Sequence, residues 1–331
     1  MINKNWLPVL ITLCILMSIN LLMVSSLAPV YLFRQILAWV IGILLFFVGK
    51  QINPKIMSIS KFPIFIVCCF LLVVPIILNN ITRGSRRWID LGFTSIQPSE
   101  IVKPWLMINL ANSALPFTHA IPVAIVMAQP DLGSAISILF LMIPVVLFNK
   151  KLIKISIVLG IIALAVSPII YKYVLHDYQR DRIINFINPN QDPLGKGYNV
   201  IQSKIAIGSG GIWGKGYKKG TQGQLLFLPE KHTDFMFSAT AEELGLLGVI
   251  ILLTSYYILI NTLIKKAFAS KNKVGLIFTL GITIQIWLQT VVNIGMNIGL
   301  LPVTGIPLPF ISVGGSSLIS YLFSLGIIYS S

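Results

Sequence analysis

Long apolar runs separated by short polar connections dominate this chain. The runs extend from Trp6 to Leu27, Ile36 to Val48, Phe62 to Leu78, Leu152 to Ile170, Leu244 to Ile264, Val274 to Ile294 and Leu318 to Tyr329. A helix needs roughly 20 apolar residues to cross the hydrocarbon core of a bilayer, and most of these runs approach that length. The pattern therefore predicts an all-α polytopic membrane protein whose charged groups lie mainly in the connections.

The stretch from Gln97 to Asn149 is less regular, because prolines divide it into pieces that are shorter than a full span. We predict three helices here, from Gln97 to about Leu115, from about Ala120 to Met127, and from Asp131 to Phe148. These segments bring the expected total to about ten transmembrane helices, with eight as the alternative.

Basic residues in the connections indicate the orientation, because lysine and arginine concentrate in short cytoplasmic loops. Four clusters contain lysines and no carboxylate: Lys4; Lys50, Lys55 and Lys61; Lys150, Lys151 and Lys154; Lys265, Lys266, Lys271 and Lys273. We expect these clusters and both termini to be cytoplasmic. Residues 173–241 then form a large extracytoplasmic loop between helices 7 and 8, within a single membrane domain that covers 1–331.

Composition narrows the classes of function. The chain is 56% hydrophobic and 11% charged, which excludes an ordinary soluble domain, and its formal net charge is +15. The basic residues are dispersed between apolar runs, so we expect no nucleic-acid partner. No internal repeat is evident in the sequence, so an inverted-repeat transporter is not supported. We expect no cofactor: Cys14, Cys68 and Cys69 lack metal-site spacing, and a divalent cation, although compatible with the chemistry below, has no evident ligand set.

Three arginines in the loop RGSRRW, Arg83, Arg86 and Arg87, oppose the positive-inside tendency and call for an anionic partner. That partner is either a lipid headgroup or a pyrophosphate, since guanidinium groups match phosphate oxygens bidentately. The adjacent Trp88 is either an interfacial anchor or a stacking surface for a sugar ring.

Glu100 and Lys103 lie three residues apart on a predicted helix, so they can pair on one face. Ionisable groups within a span usually face a functional cavity, but a buried structural ion pair is the alternative. Asp131 follows a proline at a predicted helix start, where a carboxylate caps free N–H groups.

The segment LPEKHTDF and the following EEL concentrate polar groups where the chain re-enters the membrane, namely Glu230, His232, Thr233, Asp234, Glu242 and Glu243. A carboxylate beside a cationic cavity suits general-base chemistry, and Asp234 is our candidate. A serine triad is not supported, because no GxSxG elbow is present. Glu230, His232 and Asp234 share one face only in an extended segment, which makes a metal site a weak reading.

The stretch NIGLLPVTGIPLPFISVGGSS is rich in proline and glycine at membrane depth. Irregular backbone at this depth must be buried in protein or line water. It is either a re-entrant turn or, through the helix start at its GGSS end, a second element that faces phosphate.

These motifs resemble the SEDS family (shape, elongation, division and sporulation), which includes RodA, FtsW and SpoVE. RRWIDLG, QPSEIVK, QPDLGSA, GYNVIQSKIAIGSGG, LPEKHTDFMF, EELGLLG and PVTGIPLPFISVGGSS occur in the family's order along most of the chain. The segment GSGGIWGKGYKKGTQ is more similar to RodA than to FtsW.

The resemblance implies a ten-helix fold in the bacterial inner membrane and a peptidoglycan glycosyltransferase activity that polymerises lipid II. It implies a class B penicillin-binding protein and membrane proteins of the elongation complex as partners. By their motifs, Asp234 would be essential, with Arg86, Arg87, Trp88, Glu100 and Lys103 at the substrate. We place Glu230, His232 and Thr233 with them.

The predicted reaction is an inverting transfer. The 4-hydroxyl of an acceptor sugar attacks the anomeric carbon of a donor, forms a β-1,4 bond and releases undecaprenyl pyrophosphate. Asp234 would accept the proton, and Arg86 and Arg87, with Lys103 as a further candidate, would stabilise the leaving group. A lipid II flippase and a scaffold for wall synthesis are the alternatives; the gathering of charged groups on one side favours the polymerase.

Overall fold

The computed structural model describes residues 6–52, 61–78, 87–90, 92, 95–112, 116–174, 180, 184, 186 and 197–330. Within these residues the chain is mainly helical. The helices are α1 (Leu7–Leu27), α2 (Leu32–Gln51), α3 (Lys61–Leu78), α4 (Pro98–Ile101), α5 (Lys103–Asn112), α6 (Ala120–Met127), α7 (Leu132–Phe140), α8 (Ile143–Leu147), α9 (Lys150–Ile169), α10 (Tyr198–Ser209), α11 (Thr221–Gln224), α12 (Met236–Phe268), α13 (Lys273–Asn297) and α14 (Gly315–Ile328). Strands β1 (Ile89–Asp90) and β2 (Ser95–Ile96) form a short antiparallel ribbon.

The exterior of the helical bundle is apolar. In the part of the chain that the structure describes, five helices are long and apolar enough to cross a membrane, namely α1, α2 with the turn before it, α9, α12 and α13. Large side chains such as Phe33, Phe62 and Leu164 point outward and are mostly exposed. Water would be a poor solvent for such a surface, whereas hydrocarbon suits it. The predicted all-α polytopic membrane protein is confirmed.

The proline-rich stretch folds as the sequence predicts, in three helical segments. The first is broken at Val102 between α4 and α5, the second is α6, and the third is broken between α7 and α8. If each interrupted helix is counted once and α10 and α11 are set aside, the described residues contain ten helical segments, of which α6 has only eight residues. The segment 197–235, which carries α10 and α11, follows α9 in the sequence.

Helix α14 packs most extensively against α2, and two glycines allow this. A Cβ atom at Gly326 would lie 2.1 Å from the carbonyl oxygen of Phe46, and one at Gly49 would lie 2.7 Å from that of Phe323. Small residues of this kind let helix backbones approach closely inside a membrane. The α2–α14 pair is therefore a closely packed wall of the bundle.

The two ends of the bundle differ in their polar groups. We call the end that bears residues 197–235 the loop face; there Ser26, at the end of α1, donates to Glu243 at 2.7 Å. At the opposite end the Lys50 ammonium lies 4.8 Å from the centre of the Trp6 ring. The Lys266 ammonium lies 5.5 Å from the Tyr329 ring at that same end. The lysine-rich connections therefore lie opposite the loop face.

Candidate active site

A cavity of about 250 Å³ lies at the loop face and is lined by residues from separated parts of the chain. Its walls come from the β1 region, α4, α7, the segment before α12, and the irregular stretch before α14. The lining residues are Arg87, Trp88, Gln97, Glu100, Gly133, Ser134, Ser137, Glu230, Thr233, Asp234, Gln289, Gly305, Ile306, Pro307, Val313, Gly314, Ser316 and Ser317. Motifs that are far apart in the sequence thus converge on one pocket.

Asp234 lies just before α12, and its backbone is held by α13. The side-chain amides of Asn293 and Asn297 both donate to the Asp234 carbonyl oxygen, at 3.1 and 3.0 Å. Both asparagines are fully buried. A Cβ atom at Gly305 would lie 3.8 Å from Asp234 Oδ2, so the carboxylate points towards this glycine of the cavity wall. The buried amides therefore fix the position from which the carboxylate enters the cavity.

The irregular stretch before α14 holds the same segment from the other side. The hydroxyl of Ser312 donates to the carbonyl of Thr233 at 2.5 Å, and the Val313 N–H donates to the carbonyl of His232 at 2.8 Å. Thr233 Oγ1 in turn donates to Glu230 Oε2 at 2.9 Å. Glu230 has a φ of 51°, a left-handed conformation that costs about 1–3 kcal/mol in a residue with a side chain. Strain of this size is common at functional sites.

Arg87 has an anionic partner within the protein. Its Nη1 lies 3.1 Å from Asp131 Oδ1, and the Asp131 side chain is almost completely buried. The same carboxylate accepts from the Ser134 N–H at 3.1 Å and caps α7, as the sequence predicts. The ion pair was missed by sequence reasoning. Arg87 Nε is buried and has no hydrogen-bond partner in the described part of the chain, so this guanidinium retains donor capacity next to the cavity. Arg83 and Arg86 lie outside the described residues.

Glu100 and Lys103 form the predicted pair. Lys103 Nζ lies 2.5 Å from Glu100 Oε1, and both side chains are buried. Glu100 lines the cavity and Lys103 does not. The second carboxylate oxygen of Glu100 is buried without a hydrogen-bond partner among the described residues. The ion pair therefore holds Glu100 in the cavity wall, with one of its carboxylate oxygens unpaired among the described residues.

The remaining predicted polar residues lie outside the cavity lining. The His232 ring stacks on Tyr31 with ring centres 5.1 Å apart. Glu242 pairs with Lys215 at 2.6 Å, and Glu243 accepts from Ser26, so both carboxylates attach the loop to helix ends. Burial lowers the pKa of the neighbouring Lys231 ammonium, and the Glu243 carboxylate opposes this shift. Among the described residues no group of three His, Cys, Asp or Glu side chains could hold a metal ion.

One stripe of polar residues was missed, although the sequence contains its signal. Gln285, Gln289, Asn293 and Asn297 recur at every fourth position of α13 and therefore share one helix face. All four are buried. Gln285 and Gln289 donate to Ser137 at 2.7 and 2.6 Å, whereas the asparagines hold Asp234. Only Gln289 lines the cavity itself, so this polar face of α13 mainly supports the segments that carry Ser137 and Asp234.

Comparison with known proteins identifies the family. Residues 4–331 match the family described as "Cell cycle protein" and designated FTSW_RODA_SPOVE. The chain belongs to the FtsW/RodA/SpoVE family. This confirms the resemblance to the SEDS proteins that the motifs indicated.

Relatives within the FtsW/RodA/SpoVE family cover most of the chain. The chain is 40% identical to the peptidoglycan glycosyltransferase MrdB of Escherichia coli (strain K12) over 314 residues, which are 90% of this chain and 84% of that protein. It is 34% identical to a probable peptidoglycan glycosyltransferase FtsW of Trichlorobacter lovleyi, over 90% of this chain and 82% of the relative.

Solved structures of this family have the same fold. One is described as "Structural coordination of polymerization and crosslinking by a peptidoglycan synthase complex"; it is 34% identical, has a TM-score of 0.81, and the match covers 97% of this chain and 95% of that one. The rod shape determining protein RodA of Thermus thermophilus is 28% identical with a TM-score of 0.70, over 98% and 95% of the two chains.

Proposed function

We propose that this family member is a peptidoglycan glycosyltransferase that polymerises lipid II at its loop face. The observation that carries the proposal is the cavity that contains Asp234 together with Arg87, Trp88 and Glu100. A proton acceptor suits the attacking hydroxyl and a cationic group suits the departing pyrophosphate in the transfer of a pyrophosphate-linked sugar, and an aromatic surface can stack on a sugar ring. The names of the relatives, which include a curated peptidoglycan glycosyltransferase, support the same activity.

In the proposed step the 4-hydroxyl of the acceptor sugar attacks the anomeric carbon of the donor. A carbon–oxygen bond forms, the bond from that carbon to the pyrophosphate oxygen breaks, and the acceptor proton passes to the Asp234 carboxylate. Attack from the face opposite the leaving group converts an α-linked donor into a β-1,4 product. The leaving group is undecaprenyl pyrophosphate, and it carries the negative charge that develops.

Arg87 is the described cation best suited to the pyrophosphate. Asp131 occupies Nη1 and orients the guanidinium, while Nε is buried without a partner. Arg86 would add a second guanidinium next to it in the sequence. Trp88 would stack on a sugar ring, and Glu100 would accept a hydrogen bond from a substrate hydroxyl through its unpartnered oxygen. Lys103 would act by holding Glu100, and Glu230, His232 and Thr233 by shaping the segment around Asp234.

The same proposal includes the orientation and the partner. The loop face would lie outside the cytoplasmic membrane, with the lysine-rich connections and both termini inside. A class B penicillin-binding protein would work beside this chain, since a neighbour of similar fold belongs to a synthase complex that coordinates polymerization and crosslinking. Other membrane proteins of the elongation complex would join them.

The test is polymerisation by purified protein in liposomes that contain lipid II, with glycan chains separated on a gel. General-base catalysis contributes about 10²–10⁴-fold, so Asp234→Asn is expected to lower the rate by a factor in that range. Asp90→Asn is the matched control, because this carboxylate is exposed at the loop face and outside the cavity lining.

Full polymerisation by Asp234→Asn would contradict the catalytic role of Asp234. Transbilayer movement of labelled lipid II without any polymer, in the wild-type chain, would instead support the flippase. A chain that binds the transpeptidase but neither polymerises nor moves lipid II would support the scaffold.

A further inference from the structure

Two short stretches of the segment 197–235 expose large apolar side chains. Ile212 and Trp213 follow α10, and Trp213 is 79% exposed. Leu225, Leu226 and Phe227 follow α11, and Leu226 is 74% exposed. Neither stretch faces the cavity. Exposed groups of large apolar side chains usually mark a surface that contacts protein or lipid, so we ask what contacts these two stretches.

Backbone hydrogen bonds place Ile212 and Trp213 at a defined level of α12. Leu246 N–H donates to the Gly211 carbonyl at 2.9 Å, and Leu247 N–H donates to the Ile212 carbonyl at 3.3 Å. The helix is kinked just before these residues, at Gly245, where φ is 66°. From Leu246 to Ile264 it contains no charged residue. At 1.5 Å per residue this length is about 30 Å, the thickness of a bilayer's hydrocarbon core.

The depth of Trp213 in the membrane follows from the length of this uncharged part of α12. If Lys265 and Lys266 lie at one headgroup boundary, Leu246 and Leu247 lie at the other. The side chains of both leucines are exposed, as expected of groups that face lipid. Trp213 is therefore at the boundary between hydrocarbon and headgroups, where tryptophan and tyrosine are enriched.

Helix α1 gives the same level independently. It has 21 residues, enough to cross the hydrocarbon core, and side chains of the segment 197–235 form hydrogen bonds with its last turn. Tyr217 and Ser25 share a hydrogen bond between their hydroxyl groups at 2.9 Å, and Gln224 Nε2 donates to Ser26 Oγ at 2.9 Å. Gln224 directly precedes the second apolar stretch, so this stretch also lies where a span ends.

The neighbouring charges suit a lipid surface. Lys218 and Lys219 are exposed within the same segment, and the Lys218 ammonium lies 5.3 Å from the Tyr217 ring centre. The long Lys218 side chain, beside this interfacial aromatic, can reach the phosphate groups of the headgroups, whereas Lys219 is exposed to water. Anionic headgroups attract such lysines.

We propose that Ile212, Trp213 and Leu225–Phe227 insert into the headgroup–hydrocarbon boundary of the leaflet at the loop face. The bilayer itself is the occupant of this apolar surface. The insertion holds the segment that leads to Asp234 at a fixed depth, and it does not depend on the proposed activity.

The test measures depth in the full chain reconstituted into liposomes. Cys14, Cys68 and Cys69 are replaced by alanine, and Trp213→Cys is labelled with a nitrobenzoxadiazole fluorophore. The matched control is Lys219→Cys, an exposed position on the same segment. We expect blue-shifted emission at position 213. The ratio of quenching by lipid-borne spin labels to quenching by aqueous iodide should be several-fold higher there than at 219.

Two results would overturn the proposal. Equal access of iodide to positions 213 and 219 would show that the segment stands in water. Shielding of position 213 from both quenchers would show a protein contact in place of lipid. A second measurement does not depend on the folding of the labelled variants. Brominated lipids should quench the tryptophan emission of the wild-type chain more than that of the unlabelled Trp213→Phe variant. Equal quenching of the two would also refute insertion.

Discussion

The two carboxylate oxygens of Glu100 have different surroundings. One oxygen accepts from Lys103, and the other is buried at the cavity wall without a hydrogen-bond partner among the described residues. Removing only the lysine leaves a buried, unpaired carboxylate, which typically costs about 3–5 kcal/mol. Removing both charges avoids that cost. Stability and activity can therefore be separated at this pair.

We expect Lys103→Met to lower the melting temperature strongly and Glu100→Gln with Lys103→Met to recover most of it. If the free oxygen of Glu100 binds substrate, the double variant stays poorly active despite its recovered stability. Thermal unfolding in detergent and polymerisation in liposomes are the two measurements. A stable double variant with wild-type activity would assign the pair a purely structural role.

Single residues also show what the sequence could and could not predict about the site. The cap made by Asp131 follows from local sequence, because a carboxylate at a predicted helix start can accept from the free N–H groups of the first turn. Its ion pair with Arg87 joins residues from different elements, and no periodicity encodes it. The exclusion of His232 from the cavity has the same origin, since it depends on where Tyr31 packs.

At the scale of elements, α12 is two helices joined at Gly245. The φ of 66° and ψ of −167° lie in a region that only glycine occupies easily. A Cβ atom there would lie 2.2 Å from Gly214 N and 2.5 Å from the Ile212 carbonyl oxygen. The kink thus lets the segment 211–214 dock on the start of the membrane-spanning part of α12.

Gly245→Ala is expected to destabilise the protein by about 1–3 kcal/mol, because the new side chain is strained and collides with backbone. Gly208→Ala is the control: it lies in α10, and a Cβ atom there meets nothing within 4 Å. In a helix this replacement is neutral or stabilising by about 1 kcal/mol. Denaturant unfolding of the two variants compares them. Equal stability would contradict the account of the kink.

The elements themselves were largely predictable. Apolar length predicted α1, α3, α9 and α13 closely, and the prolines between Gln97 and Asn149 correctly divided that stretch into three segments. The start of α12 was not predicted, because residues 236–243 carry two glutamates and read as loop. They are helical because Lys215, Thr221 and Ser26 satisfy those buried carboxylates from other parts of the chain.

For the whole molecule, the described carboxylates are confined to one end of the bundle, whereas basic residues occur at both ends. The described carboxylates Asp90, Glu100, Asp131, Glu230, Asp234, Glu242 and Glu243 all belong to the loop face. The charged residues of the described connections at the opposite end are all lysines, including Lys150, Lys151, Lys265, Lys266 and Lys271. The positive-inside tendency acts on lysine and arginine near the ends of spans. Because the lysine-bearing connections opposite the loop face are short, they predict an outward loop face, on which the proposed reaction depends.

Membrane-impermeant maleimide added to intact spheroplasts tests this orientation. In a chain whose native cysteines are replaced by alanine, Lys219→Cys at the loop face is expected to react at once. Lys271→Cys, in the exposed connection between α12 and α13, should react only after the membrane is broken. Both exchange an exposed lysine, so intrinsic reactivity is matched. The reverse pattern would place Asp234 at the cytoplasmic surface, and extracytoplasmic polymerisation by this cavity would then be impossible.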